Sequence, residues 1–204
     1  MTFDLLETLR WTPTEGWYLL DRHLDRLESS ARHFGFDCSR PEILRALDEA
    51  VQAADAACRV RLVLNREGRV RVEPTPLDIQ QGVMRVRLAA QPIDPTDIFL
   101  YHKTTNRSVY ERARLPDCDD VILWNPSGQA TESTIANLVV QKGRRRITPP
   151  IACGLLPGTL RAELLATGEV REEVVRVDEL GAVAHVWLVN SVRGWLEAVL
   201  VDER

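Results

Sequence analysis

Residues 58–73 constrain the fold most, because they spell out a hairpin. Cys58-Arg59-Val60-Arg61-Leu62-Val63-Leu64 reads as a strand by alternation, Asn65-Arg66-Glu67-Gly68 has turn chemistry, and Val70 to Glu73 returns. Ahead of it, Phe3 to Trp11 and Gly16 to Leu20 read as short strands joined by a Thr-Pro-Thr-Glu-Gly turn. Leu24, Leu27, Ala31 and Phe34 recur at helical spacing, so a helix is predicted over Arg22 to Phe34, capped by Asp21 and stopped by Gly35. A second helix is predicted from Pro41 to Ala54, with Ile43, Leu44, Leu47 and Val51 as its apolar face. With a further strand over Val83 to Leu88, this half reads as an α+β lobe.

Ala90 to Tyr101, with Pro92 and Pro95 and little periodicity, is the expected linker. It divides the chain into an N-terminal lobe over 1–95, a linker over 96–102 and a second lobe over 103–204. The second lobe is predicted to hold a helix from Asn106 to Arg114 and strands at Asp120 to Trp124 and Ile135 to Gln141 around an Asn-Pro-Ser-Gly turn. A loop over Pro149 to Pro157, a short helix from Thr159 to Thr167, and strands at Val183 to Val189 and Leu196 to Val201 complete it. Arg144-Arg145-Arg146 reads as a solvated turn between strands rather than a nucleic-acid site, since no aromatic stacking pattern surrounds it.

At 204 residues the chain is long enough for a sizeable core. Its charge balance, 26 − 30 = −4, gives no global field for nucleic acid, so a phosphate partner would have to be held locally. Cys38, Cys58, Cys118 and Cys153 show no metal-ligand pairing, and no apolar run approaches the ~20 residues of a membrane span. With no signal peptide read at the N-terminus, the expectation is a soluble cytoplasmic chain with reduced thiols and no bound metal.

Six segments together carry a resemblance that no one of them carries alone. FDLLETLR (3–10), YLLDRHLDRLESSARHFGF (18–36), HKTTNR (102–107), TESTIANLVV (131–140), GLLPGTLR (154–161) and LVNSVRG (188–194) follow the order and rough spacing of the fold type IV pyridoxal phosphate (PLP) enzymes. The chain thus resembles the class IV aminotransferase and aminodeoxychorismate lyase family, and HKTTNR and NSVRG are most similar to its lyases. The resemblance implies a two-lobed α/β (α+β) protein, with a small N-terminal α/β lobe, a larger β-rich lobe and PLP between them.

By itself Lys103 reads as a solvated charge, Glu132 as a solvent-facing strand carboxylate and Arg26 as one more residue of a polar helix face. The resemblance makes Lys103 the Schiff-base lysine and proton carrier, and Glu132 the partner of the cofactor's pyridine nitrogen, with Asn137 in support. It implies a phosphate site from Arg26, from the Gly158-Thr159-Leu160 helix start and from Ser191, where the plain alternatives are a Thr159 cap and a strand-end turn. Arg107 and Arg193 are the candidates for substrate carboxylates.

The function so implied is cleavage of 4-amino-4-deoxychorismate to 4-aminobenzoate and pyruvate, on the route to folate. A branched-chain or D-amino-acid transaminase on the same scaffold is the first alternative. Family members carry a further segment before the strand matching FDLLETLR, and this chain begins almost at that strand. A PLP-binding module without activity alone, linked to aminodeoxychorismate synthase, is therefore the second alternative. A homodimer acting on a small molecule, with neither nucleic acid nor membrane as partner, is expected.

Overall fold

Three hydrophobic clusters among the described residues, one in the first unit and two in the second, accompany the division of the chain into two units of a mixed α/β fold. The computed structural model describes residues 2–78 and 82–201. The first unit comprises residues up to 78 together with His102–Asn106, and the second comprises residues 82–101 and 107–201.

In the first unit the strands β1 (Leu5–Thr12), β2 (Gly16–Trp17), β3 (Cys58–Leu64) and β4 (Val70–Pro76) form an antiparallel sheet in the order β2-β1-β3-β4. Leu5, Leu9, Val60, Leu62 and Leu64 alternate onto one face, where they meet Leu24, Leu27 and Ala31 of α1 (Leu20–Phe34) and Ile43, Leu47 and Val51 of α2 (Arg40–Val51). Gly35 (φ 68) ends α1 as predicted, and Phe36 N–H donates to Ala31 O. The hairpin turn is also as read: Gly68 takes φ 79 and Asn65 Oδ1 accepts from Arg69 N–H. Pro74 and Pro76 are tolerated because β4 is an edge strand.

The second unit contains β5 (Met84–Leu88), α3 (Ser108–Ala113), β6 (Asp120–Trp124), β7 (Ala130–Ser133), β8 (Asn137–Lys142), β9 (Arg145–Thr148), α4 (Thr159–Ala166), β10 (Arg171–Glu172), β11 (Val186–Asn190) and β12 (Gly194–Leu200). Its sheet runs β10-β9-β8-β11-β12-β5-β6-β7, and β7 pairs back onto β8 through Glu132 and Asn137. Six strands thereby close into a ring, filled by Met84, Val86, Ile122, Leu138, Val140, Leu188, Leu196 and Ala198. The opposite face of β6, Val121 and Leu123, packs with Ala89, Ile93, Leu100 and Tyr110.

Several expectations are corrected. Residues 82–101 belong to the second unit: β5 lies between β12 and β6, Ile93 N–H donates to Trp124 O, and Leu100 is fully buried, so the stretch is packed rather than a linker. Residues 102–106 belong to the first unit. The strand expected over Gly16 to Leu20 stops at Trp17, and α1 starts at Leu20 after Leu19, which sits in the left-handed region (φ 54), so Asp21 lies in the first turn instead of capping it. The strand expected from Ile135 begins at Asn137, because Thr134-Ile135-Ala136 turns the chain between β7 and β8. Arg145 and Arg146 lie in β9, and Arg146 does have aromatic company, its guanidinium 5.4 Å from the Trp187 ring and 5.0 Å from that of Trp195. Among the described residues no helix is long and apolar enough to cross a membrane.

Candidate active site

Lys103 is fixed by backbone pairing to β1. Leu6 N–H donates to Lys103 O at 3.0 Å, Leu5 bridges Thr104, and Thr105 N–H donates to Asp4 O at 2.9 Å. The preceding His102 stacks on His33, with centroids 4.5 Å apart, and its Nδ1 lies 2.9 Å from Ser30 Oγ. Burial, helped by His33, holds the His102 imidazole below its ordinary range.

Arg26, on α1 of the same unit, meets a carboxylate that sequence reasoning missed. Glu7 lies on the core-facing side of β1, between Leu5 and Leu9, and is 1% exposed. Its oxygens accept from Arg26 Nε at 2.7 Å and Nη2 at 2.6 Å, while His23 Nδ1 stands 2.7 Å from Oε2. Burial alone would raise the Glu7 carboxyl, but Arg26 and His23 outweigh it and lower the group to about 2. An ionised carboxylate only accepts, so His23 carries its proton on Nδ1. Burial holds His23 below its usual 6.5, against the pull of Glu7. The signal that could have exposed Glu7 is its register, since Leu5-x-Glu7-x-Leu9 places a charge in an inward row.

Glu132 stands in β7, 3% exposed, with its carboxylate anchored by fixed donors. Oε1 accepts from Tyr110 Oη and from Leu156 N–H, both at 2.9 Å, and Oε2 accepts from Asn137 Nδ2 at 3.2 Å. Asn137, paired with Glu132 across the turn, also donates to Leu156 O at 2.9 Å. Burial, reinforced by the Glu132 charge, pushes the Tyr110 phenol well above its ordinary 10, so it stays a donor. Tyr110 was not anticipated, because an isolated tyrosine on a short helix carries no pattern. Arg107 covers the Tyr110 ring at 4.7 Å and donates to Thr134 O, which ties it to the Glu132 turn.

Gly158 is required by contact rather than by its backbone angles: a Cβ there would lie 1.9 Å from Asn137 Oδ1. It precedes α4, whose first residues Thr159 and Leu160 are buried. Ser191, also buried, follows β11 two residues after the Val189–Asn137 pair, and Asn190 Oδ1 shapes that turn by accepting from Val192 and Arg193 N–H. One end of the second unit's sheet therefore gathers Glu132, Asn137, Gly158 and the Asn190–Arg193 turn, while Lys103 and Arg26 lie in the first unit.

Comparison with known proteins shows the family and the fold. A family model described as "Amino-transferase class IV" matches residues 4–201. A Schizosaccharomyces pombe protein named "Putative aminodeoxychorismate lyase" is 33% identical over 90% of this chain and 84% of its own length. A Thermotoga maritima protein named "Probable branched-chain-amino-acid aminotransferase" is 28% identical over 92% of this chain and 73% of its own. The crystal structure of a "Putative amino-acid aminotransferase" from Mesorhizobium loti superposes with a TM-score of 0.93 at 37% identity, covering 98% of this chain and 100% of that one.

Proposed function

The chain belongs to the class IV aminotransferase family, whose members are PLP-dependent, and from that premise we propose that it cleaves 4-amino-4-deoxychorismate to 4-aminobenzoate and pyruvate. The observation that carries the PLP reading is Glu132, a buried carboxylate held on both oxygens by Tyr110, Asn137 and Leu156 N–H. A negative charge kept out of water this way suits a cationic partner, here a protonated pyridine nitrogen. The bare Cα of Gly158, pressed against Asn137, and the N–H groups of Thr159 and Leu160 at the start of α4 suit a phosphate, with Ser191 adding a hydroxyl.

PLP, when bound, would supply the electron sink that makes a carbon bearing an amino group acidic. Lys103 would hold the cofactor's aldehyde carbon between turnovers. Released by the substrate amine, its Nζ would take the proton from the amino-bearing ring carbon and later return one. Glu132 would keep the pyridine nitrogen charged while the enolpyruvyl C–O bond breaks and the ring becomes aromatic. The lyase choice over a transaminase is supported by HKTTNR, NSVRG and the fission yeast relative. Incubating the purified chain and PLP with aminodeoxychorismate, and following 4-aminobenzoate, tests the reading; no product above a PLP-free control would overturn it.

A further inference from the structure

Arg107 immediately precedes α3 and Tyr110 lies in its first turn, three residues on, a spacing that sets two side chains on one face of a helix. The guanidinium carbon lies 4.7 Å from the centre of the Tyr110 ring, and Nη2 donates to Thr134 O. Arg107, Tyr110, Asp120, Glu132 and Thr134 all belong to the second unit.

The carbonyl that anchors Arg107 is itself rigidly held. Thr134 is buried, and Asp120 Oδ1 accepts both its Oγ1–H at 2.6 Å and its N–H at 3.2 Å. Ser133 Oγ accepts from Ala136 N–H at 3.1 Å, and Ser133 N–H donates to Ala136 O at 2.8 Å, so the turn that follows Glu132 is closed on itself. Arg107 therefore has a fixed place over the ring. At the other end of that ring, Tyr110 Oη donates to Glu132 Oε1 at 2.9 Å. Burial and the Glu132 charge push the phenol up, while the Arg107 charge works against them. A cation over a phenol draws electron density from its O–H and makes it a stronger donor, the more so where water is excluded.

We propose that Arg107 is a positioning residue for Glu132, acting through Tyr110: it fixes the ring and strengthens the O–H donation that holds Oε1 at the pyridine nitrogen. This rests on the PLP reading of Glu132 and not on the choice between lyase and transaminase. It takes Arg107 out of the candidates for a substrate carboxylate.

The test is a double-mutant cycle of Arg107→Gln and Tyr110→Phe, read in PLP affinity by spectroscopic titration, and in kcat and KM for pyruvate release at saturating PLP. Alone, Arg107→Gln is expected to weaken PLP binding at least about threefold and to lower kcat about three- to tenfold, with KM within about twofold of the unmodified protein. In the Tyr110→Phe background the same substitution should cost less than about twofold in either readout, because the group it acts through is gone. Equal losses in the two backgrounds overturn the proposal, as does PLP affinity unchanged by Arg107→Gln. A KM raised at least about tenfold with kcat kept also overturns it, and returns Arg107 to the substrate. Should Arg107→Gln fail to fold, Arg107→Met, which keeps the apolar cover of the ring, is judged by the same criteria. If the unmodified protein takes up PLP but releases no pyruvate, the lyase reading falls and the PLP titrations alone decide the role of Arg107. Pyruvate release with equal losses in the two backgrounds removes Arg107 and keeps the lyase. An unmodified protein that takes up no PLP overturns both.

Discussion

Arg26 meets Glu7 edge-on, with Nε 2.7 Å from one carboxylate oxygen and Nη2 2.6 Å from the other, so the candidate phosphate ligand is itself aimed by a buried charge. Removing the carboxylate would take away the charge that receives both Nε and Nη2 of Arg26. Glu7→Gln is therefore expected to cost about 3 kcal/mol at neutral pH, measured by denaturant unfolding. A loss under about 1 kcal/mol would mean that solvent replaces the pair readily.

The same cluster sets a pH dependence. His23 is held below 6.5 and Glu7 is lowered from 4.5 to about 2, so for both groups the unfolded chain binds the proton first. The stability they contribute is complete above the unfolded values and declines as pH falls, from 6.5 downward for His23 and between 4.5 and about 2 for Glu7. His23→Gln should flatten the decline just below 6.5 while leaving the steeper one near 4 in place. Unfolding curves across pH that are unchanged by His23→Gln would contradict this.

For Glu132, two substitutions separate charge from placement. Glu132→Ala should still bind PLP but lose at least ~100-fold in turnover, the equivalent of a few kcal/mol at the transition state. Tyr110→Phe removes one of the two donors to Oε1, and a loss of about tenfold with the PLP band retained is expected. Near-normal turnover in Glu132→Ala would mean that another group holds the pyridine nitrogen.

Gly158→Ala tests the cradle beside Asn137. A methyl group 1.9 Å from Asn137 Oδ1 must displace either the amide that supports Glu132 or the start of α4. Since φ at Gly158 is −65°, backbone strain plays no part. PLP affinity is expected to fall at least about tenfold by spectroscopic titration, a change near 1.4 kcal/mol. Unchanged affinity would place the phosphate elsewhere.

Much of the fold was legible locally. Alternation gave β3 and β4, helical spacing gave α1 and α2, and Gly35 marked a real stop. What local pattern does not hold is the sheet a strand joins: β5 alternates equally well in either unit, and only its parallel pairing with β12 and β6 decides. β7 was hidden for another reason, because Thr131, Glu132 and Ser133 are polar yet buried, which erases alternation. Lys103 and Glu132 were named through resemblance. Glu7 and Tyr110 were missed because their importance comes from partners 19 and 22 residues away.

Lys103 is the residue on which the cofactor assignment turns. Protein loaded with PLP should show a visible absorption band that borohydride fixes as a covalent adduct, and Lys103→Ala should lose both. An identical adduct in Lys103→Ala would move the assignment to another amine.

The most direct measurement is pyruvate release from aminodeoxychorismate by the PLP-loaded protein with no keto acid present. A lyase restores its starting form in every cycle, so the account predicts many pyruvate molecules per chain, matched one for one by 4-aminobenzoate. Reaction that stops after one equivalent and resumes only when 2-oxoglutarate is added, or amino transfer from branched-chain or D-amino acids with no pyruvate from aminodeoxychorismate, would contradict it.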